Sequence, residues 1–120
     1  MWQGYKRRPE SDRKREVSPY VSINRRGEIV LNEAAMRLAY ASWEITLFYD
    51  AETNRLGIRG GRGGDPSLHV FRARRYGRGG RLRVVRAGRL LKQFGIAITE
   101  TLVFRPTQTE PGPMIVLDLD

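Results

Sequence analysis

From Tyr20 onward, apolar and polar residues alternate in short runs broken by turn-forming residues, the mark of brief strands. Tyr20-Val-Ser-Ile23 is one such run, and Ile29 with Leu31 continues the alternation beyond an Arg25-Arg-Gly27 turn, which predicts a hairpin. Asn32 is a good N-cap for a short helix from Glu33 to about Ala41, with acidic Glu33 in the first turn. Trp43 to Tyr49, rich in β-branched and aromatic residues, predicts a strand. Asp50 to Asn54 is its hairpin loop, and Arg55 to Arg59 returns as a strand. The order is β-β-α-β-β.

Gly60-Gly-Arg-Gly-Gly-Asp-Pro-Ser67 has the composition of a flexible linker, and after it the same order recurs. Leu68 to Arg74 predicts a strand, Tyr76 to Gly80 a loop and Arg81 to Val84 a strand. A helix follows from about Arg86 to Phe94, with Gly95 suited to the left-handed position beyond its end. Thr101 to Arg105 and Met114 to Leu119 predict a last strand pair, joined by the Pro106–Pro113 loop.

Sliding Gly27 onto Gly80 lays Gly27-Glu-Ile-Val-Leu31 over Gly80-Arg-Leu-Arg-Val84 and Ala34 over Ala87. Apolar positions coincide while identities are few, the pattern of a diverged internal repeat. Either half alone is too short to bury a stable core, whereas two packed together have enough. The expectation is a mainly β chain with two short helices, its duplicated β-β-α-β-β units packed as one pseudo-twofold barrel. The divisions are a disordered basic arm over 1–19, a first repeat over 20–59, a Gly-rich linker over 60–67 and a second repeat over 68–120.

Charge changes this picture. Arg72, Arg74, Arg75, Arg78, Arg81, Arg83, Arg86, Arg89 and Lys92 are nine cations in a stretch with no acid, equal to the formal net charge of +9. Such a block repels itself unless a polyanion compensates it. Leu68, Val70, Leu82, Val84, Leu90, Leu91 and Phe94 are threaded through it, which places the charge on folded structure. By strand alternation Arg72 and Arg74 share a face, as do Arg81 and Arg83, with Leu82 and Val84 turned to the core. Four guanidiniums on a two-stranded ribbon are suited to a major groove. Arg86, Arg89 and Lys92 then leave one side of the second helix basic.

Other chemistry is sparse. The absence of cysteine excludes disulfides and thiolate metal sites and suits a reducing cytoplasm. No apolar run approaches the length of a membrane span, and no amphipathic helix has a cationic face suited to membranes. His69 is the single histidine and is read as structural or surface; no Ser/His/Asp set or metal-ligand cluster is evident. Neither enzymatic activity nor a cofactor is expected. Three Arg-Gly-Gly triplets begin at Arg59, Arg62 and Arg78, a pattern also found in flexible RNA-binding segments. Tyr76 is placed to stack on a base or to be a plain loop residue. The N-terminal cations Lys6, Arg7, Arg8, Arg13, Lys14 and Arg15, diluted by Glu10, Asp12 and Glu16, offer an auxiliary phosphate contact. Trp43, Phe48, Tyr49, Phe94 and Phe104 read as packing residues.

Val21-Ser-Ile23, Arg26-Gly-Glu-Ile-Val-Leu-Asn32, a short helix, Ile45 to Asp50 and Arg55 to Arg59 resemble the AbrB/MazE-type swapped-hairpin domain. The resemblance covers about 20–59 and more loosely 68–119; both units in one chain are similar to the MraZ arrangement. It implies an AbrB-like barrel that binds DNA through basic residues of the first hairpin in each unit. The matching positions are Arg25 and Arg26, and then Arg72, Arg74, Arg75, Arg78, Arg81 and Arg83. The chain departs from the pattern at Asn32 and Val85, where the family often has proline, and in a second helix about two residues longer. Ser42-Trp43-Glu44 also stands in place of the family's Gly-Asp segment.

Together these readings imply a non-enzymatic double-stranded-DNA-binding protein, a transcriptional regulator or antitoxin-like repressor, cytoplasmic and nucleoid-associated. One alternative is an RNA-binding accessory subunit of a ribonucleoprotein, CRISPR-type or ribosome-associated. Another is a phage-type inhibitor whose basic face docks on an acidic protein. A protein partner or a second copy of the chain is compatible with each.

Overall fold

Ten strands and two helices form among the residues that the computed structural model describes, namely 18–61, 67–106, 108–109 (backbone only) and 114–120. In chain order they are β1 (Val21–Ile23), β2 (Glu28–Leu31), α1 (Glu33–Leu38), β3 (Glu44–Asp50), β4 (Arg55–Gly60) and β5 (Val70–Arg72). Then come β6 (Arg74–Tyr76), β7 (Leu82–Arg86), α2 (Gly88–Gln93), β8 (Leu102–Phe104), β9 (Gln108–Thr109) and β10 (Met114–Asp118). The strands make two antiparallel sheets of five, ordered β6-β7-β2-β1-β8 and β5-β3-β4-β10-β9. The protein is mainly β with two short helices. Neither sheet closes into a barrel.

Alternation sets the core. In the first sheet Phe104, Val21 and Leu31 are cross-strand neighbours, and so are Leu102, Ile23, Ile29 and Val85. Val21, Ile23, Ile29, Leu31 and Val85 are buried and face the second sheet's Ile45, Leu47, Leu56, Ile58, Ile115 and Leu117. Ala35, Met36 and Ala39 of the α1 region and Leu91 of α2 belong to the same cluster, so both halves share one core. Burying each large aliphatic side chain contributes about 1.5–3 kcal/mol, which makes this cluster the main stabilising term.

Helix α1 starts where its cap predicts. The Asn32 side-chain oxygen accepts from Ala35 N at 2.9 Å and from Tyr20 N at 3.1 Å, while Nδ2 donates to Ser18 O at 2.7 Å. The side chain therefore ties the helix start to the chain leading into β1. Asn32→Ala is expected to cost about 1–2 kcal/mol, a lost cap plus a stranded Tyr20 N–H, read as a lower urea midpoint at unchanged slope.

Several expected elements come out differently. The strand expected over Leu68–Arg74 breaks at Ala73, which is buried and donates to Trp43 O at 2.8 Å. The chain bends there from the second sheet into the first, so β5 pairs with β3 and β6 with β7. The expected last pair does not form: β8 pairs with β1, and β10 with β4 and β9. Each segment joins a different sheet, and part of the Pro106–Pro113 loop is itself a strand, β9. Helix α2 is six residues long, as is α1. Arg86, expected to open the second helix, ends β7 instead, and the helix begins at Gly88. Residues 1–17 of the expected arm, most of the linker and the triplet at Arg62 lie outside the described residues.

Candidate nucleic-acid interface

The β1–β2 turn is built by Asn24. Its side-chain oxygen accepts from Arg26 N at 2.9 Å and Glu28 N at 3.0 Å, and its Nδ2 donates to Glu28 Oε1 at 2.8 Å. Gly27 closes the turn at φ +82°, and its carbonyl accepts from Ala87 N at 3.0 Å. A Cβ on Gly27 would lie 2.4 Å from Gly88 Cα, and one on Gly88 would lie 2.7 Å from Arg26 O. Two glycines thus let the hairpin tip press against the first residue of α2.

That contact joins cations far apart in sequence. Arg25, Arg26, Arg89 and Lys92, all exposed, rim a cleft of about 630 Å³ whose walls include Leu91, Ile96 and Ile98. Arg86, at the end of β7, is the neighbour of Glu28 across the β2–β7 pair. Glu28 is half-buried and stands 3.6 Å from Arg26 Nη2 and 3.8 Å from Arg86 Nε, a single acid among five cations. Exposed pairs at such distances hold little energy, so the arginines remain available to an external anion.

A second cationic group sits at the opposite end of β7, on the β6–β7 hairpin. Arg74, Arg75, Arg78 and Arg81 are exposed there. The ribbon expected from Arg72, Arg74, Arg81 and Arg83 is not formed. The break at Ala73 leaves Arg72 opposite Glu44 in the second sheet, while Arg74 lies opposite Val84 in the first. Arg81 precedes the strand. Arg83 is a neighbour of Leu31 and so lies on the core side, whereas Leu82 and Val84 take the other face, the reverse of the expected parity. Val84 and its neighbour Val30 are nonetheless buried. The Arg83 guanidinium rests 4.4 Å over the Trp43 ring and donates to Gly80 O and Leu82 O at 3.1 Å each. Arg75 approaches the same ring at 5.8 Å. Trp43 is packing material, as expected, but packing for arginines.

Arg72 reaches a different place, an open recess lined also by Tyr40, Ser42, Trp43, Glu44, Gly60 and Gly61. Nothing in the sequence reading singled out Tyr40, yet it is 75 % exposed. The Arg59-Gly60-Gly61 triplet is ordered backbone: Gly60 N donates to Ala39 O and Gly61 N to Glu44 O at 2.8 Å each, and Thr46 Oγ1 donates to Gly61 O. The triplet at Arg78 is a tight turn, and Tyr76 beside it is exposed at the end of β6. His69 is exposed and meets the Phe71 ring edge-on at 4.6 Å. Phe94 stacks on Tyr49 at 5.1 Å, which is the packing role foreseen for both. Among the described residues no group of histidines and acids is placed to hold a metal ion, and no helix is long and apolar enough to cross a membrane.

The ten arginines singled out by sequence therefore divide into three places. Arg25, Arg26 and Arg89 gather at the cleft with Lys92, and Arg86 stands nearby against Glu28. Arg74, Arg75, Arg78, Arg81 and Arg83 gather on the β6–β7 hairpin. Arg72 stands apart in the recess. No family model, curated protein or solved structure matches the chain.

Proposed function

We propose that this chain is a non-enzymatic double-stranded-DNA-binding protein, a transcriptional regulator or antitoxin-like repressor that grips the phosphate backbone from both ends of β7. The observation that carries the reading is the docking of Gly27 on Gly88, which sets Arg25 and Arg26 beside Arg89 and Lys92 around one cleft. Five residues of β7 span about 17 Å, so the cleft cations and Arg78 with Arg81 stand far enough apart to bracket several phosphates. Phosphate contacts of this kind fix position and supply affinity, not sequence choice.

The reading keeps the AbrB-like, pseudo-twofold relation of the halves as part of the proposal. Two features support it. The pairings Val21↔Leu31, Ser22↔Val30 and Ile23↔Ile29 recur fifty-three residues later as Arg74↔Val84, Arg75↔Arg83 and Tyr76↔Leu82. Strands also cross between the halves: β1 pairs with β8, and β5, which leads into β6, pairs with β3.

With Arg25, Arg26, Arg89, Lys92, Arg78 and Arg81 on phosphates, the logarithm of the duplex-DNA binding constant is expected to fall against log salt with a slope near about −5. Fluorescence anisotropy over about 50 to 300 mM salt measures it. A flat salt dependence, or a clear preference for structured RNA over the duplex in competition, sinks the duplex-DNA reading.

A further inference from the structure

Both helices end in the same hydrogen-bonded motif, but with different residues at its left-handed position. At the end of α2, Gly95 N donates to Lys92 O at 3.0 Å and Ile96 N to Leu91 O at 2.9 Å, with Gly95 at φ +78°. At the end of α1, Tyr40 N donates to Arg37 O at 3.0 Å and Ala41 N to Met36 O at 2.8 Å, with Tyr40 at φ +55°. Glycine is the usual residue there because a Cβ crowds the backbone in this conformation. Tyrosine is a poor choice for stability, and its ring does not compensate by packing, since the residue is 75 % exposed. Backbone strain of this kind collects at functional sites, where a side chain must be held in one place.

The surroundings hold Tyr40 firmly. Gly60 lies so close that a Cβ on it would come within 2.2 Å of Tyr40 O, and Gly60 N donates to Ala39 O at 2.8 Å. Strand β4 thus packs against the strained peptide, and Tyr40, highly exposed, lines the recess. Trp43 lines that recess, and Arg72 and Glu44 stand as cross-strand neighbours at its side. Among the described residues these two make no ion pair with each other. An aromatic face, a guanidinium and a carboxylate around one opening are the complement of a single nucleotide. Base, phosphate and base N–H donors each have a partner.

We propose that Tyr40 is the stacking platform of a pocket for one unpaired nucleobase, with Arg72 on its phosphate and Glu44 accepting from a base N–H. This rests on the nucleic-acid reading above and deepens it: the cations hold the backbone, and the Tyr40 pocket takes a base that has left the stack. The preferred ligand is a duplex carrying an unpaired nucleotide, not a perfect one. The glycine at the equivalent end of α2 means that the site exists once per chain.

The test compares a blunt duplex with the same duplex carrying one bulged dA, using the full chain and anisotropy. The bulged duplex is expected to bind about tenfold tighter, the size of one base–aromatic stack. Tyr40→Gly is expected to lose that gain, to keep its affinity for the blunt duplex, and to raise Tm by about 3 °C as the strain is relieved. Tyr40→Phe is expected to keep the gain, since its ring still stacks. Equal binding of the two duplexes by the unaltered protein overturns the pocket and leaves the duplex reading standing. Failure to bind either duplex overturns both. A Tyr40→Gly protein that keeps the bulge preference, or that melts lower, marks Tyr40 as an ordinary structural residue and also overturns the proposal.

Discussion

Changing Arg25, Arg26, Arg89 and Lys92 together to alanine is expected to weaken duplex-DNA binding about a thousandfold at 0.1 M salt. Each phosphate contact removed takes about 0.9 from the salt slope, so the slope should rise from about −5 to about −2. Stability should hardly change. All four side chains are exposed, and the pair between Arg26 and Glu28 at 3.6 Å is of the exposed kind that contributes under about 1 kcal/mol. The contrast is Arg75 and Arg83, whose guanidiniums lie over Trp43. Their replacement by alanine uncovers an indole ring and should lower the unfolding midpoint more than the affinity. If instead the cleft quadruple binds normally while loss of Arg74, Arg78 and Arg81 abolishes binding, the interface lies on the β6–β7 hairpin alone.

Gly27→Ala is expected to destabilise the protein by about 3 kcal/mol and to lower Tm by roughly 10 °C. Two costs combine there. A non-glycine residue at φ +82° is disfavoured, and the new Cβ would lie 2.4 Å from Gly88 Cα, which is backbone and cannot rotate away. Gly95→Ala separates the two, because Gly95 shares the positive φ, at +78°, but a Cβ there meets nothing within 4 Å. It should lose only about 1 kcal/mol. Urea unfolding of both variants reads the difference directly. Similar losses in the two would mean that the hairpin tip is free to move off α2. A Gly27→Ala protein that still folds should also bind DNA less well, since the shift parts Arg25 and Arg26 from Arg89 and Lys92.

What could be read without coordinates was mostly local. Asn32 announces the start of α1 because a cap acts over three residues, and Gly95 announces the end of α2 for a similar reason. The two hairpins of the first half were legible because tight turns leave adjacent strands little choice of partner. The alignment of Gly27 with Gly80 reproduces the hairpin register but not the faces, since buried Ile29 and Leu31 fall on Leu82 and Val84, which take the other side of the sheet. The misreadings all involve partners distant in sequence. Strand alternation assigned Arg72 and Arg74 to one face, but the rule holds only within an unbroken strand, and the buried Ala73 breaks this one. Thr101 to Arg105 and Met114 to Leu119 were paired because they are consecutive, yet each lies in a different sheet. Tyr40 escaped notice because its equivalence to Gly95 appears only when helix ends are compared, and these are offset by two residues from the hairpins.

The sequence by itself determined most element types, the apolar faces of the first half and the excess of arginine, because propensity, alternation and charge are properties of residues and near neighbours. Which arginines act together was decided only by the tertiary structure. Arg83 and Arg75 turn inward onto Trp43, while Arg25 and Arg26 meet Arg89 and Lys92 across a glycine-to-glycine contact. The reason is physical: strand bends and close backbone approaches depend on what the far half of the chain offers as a surface, and no local pattern encodes that.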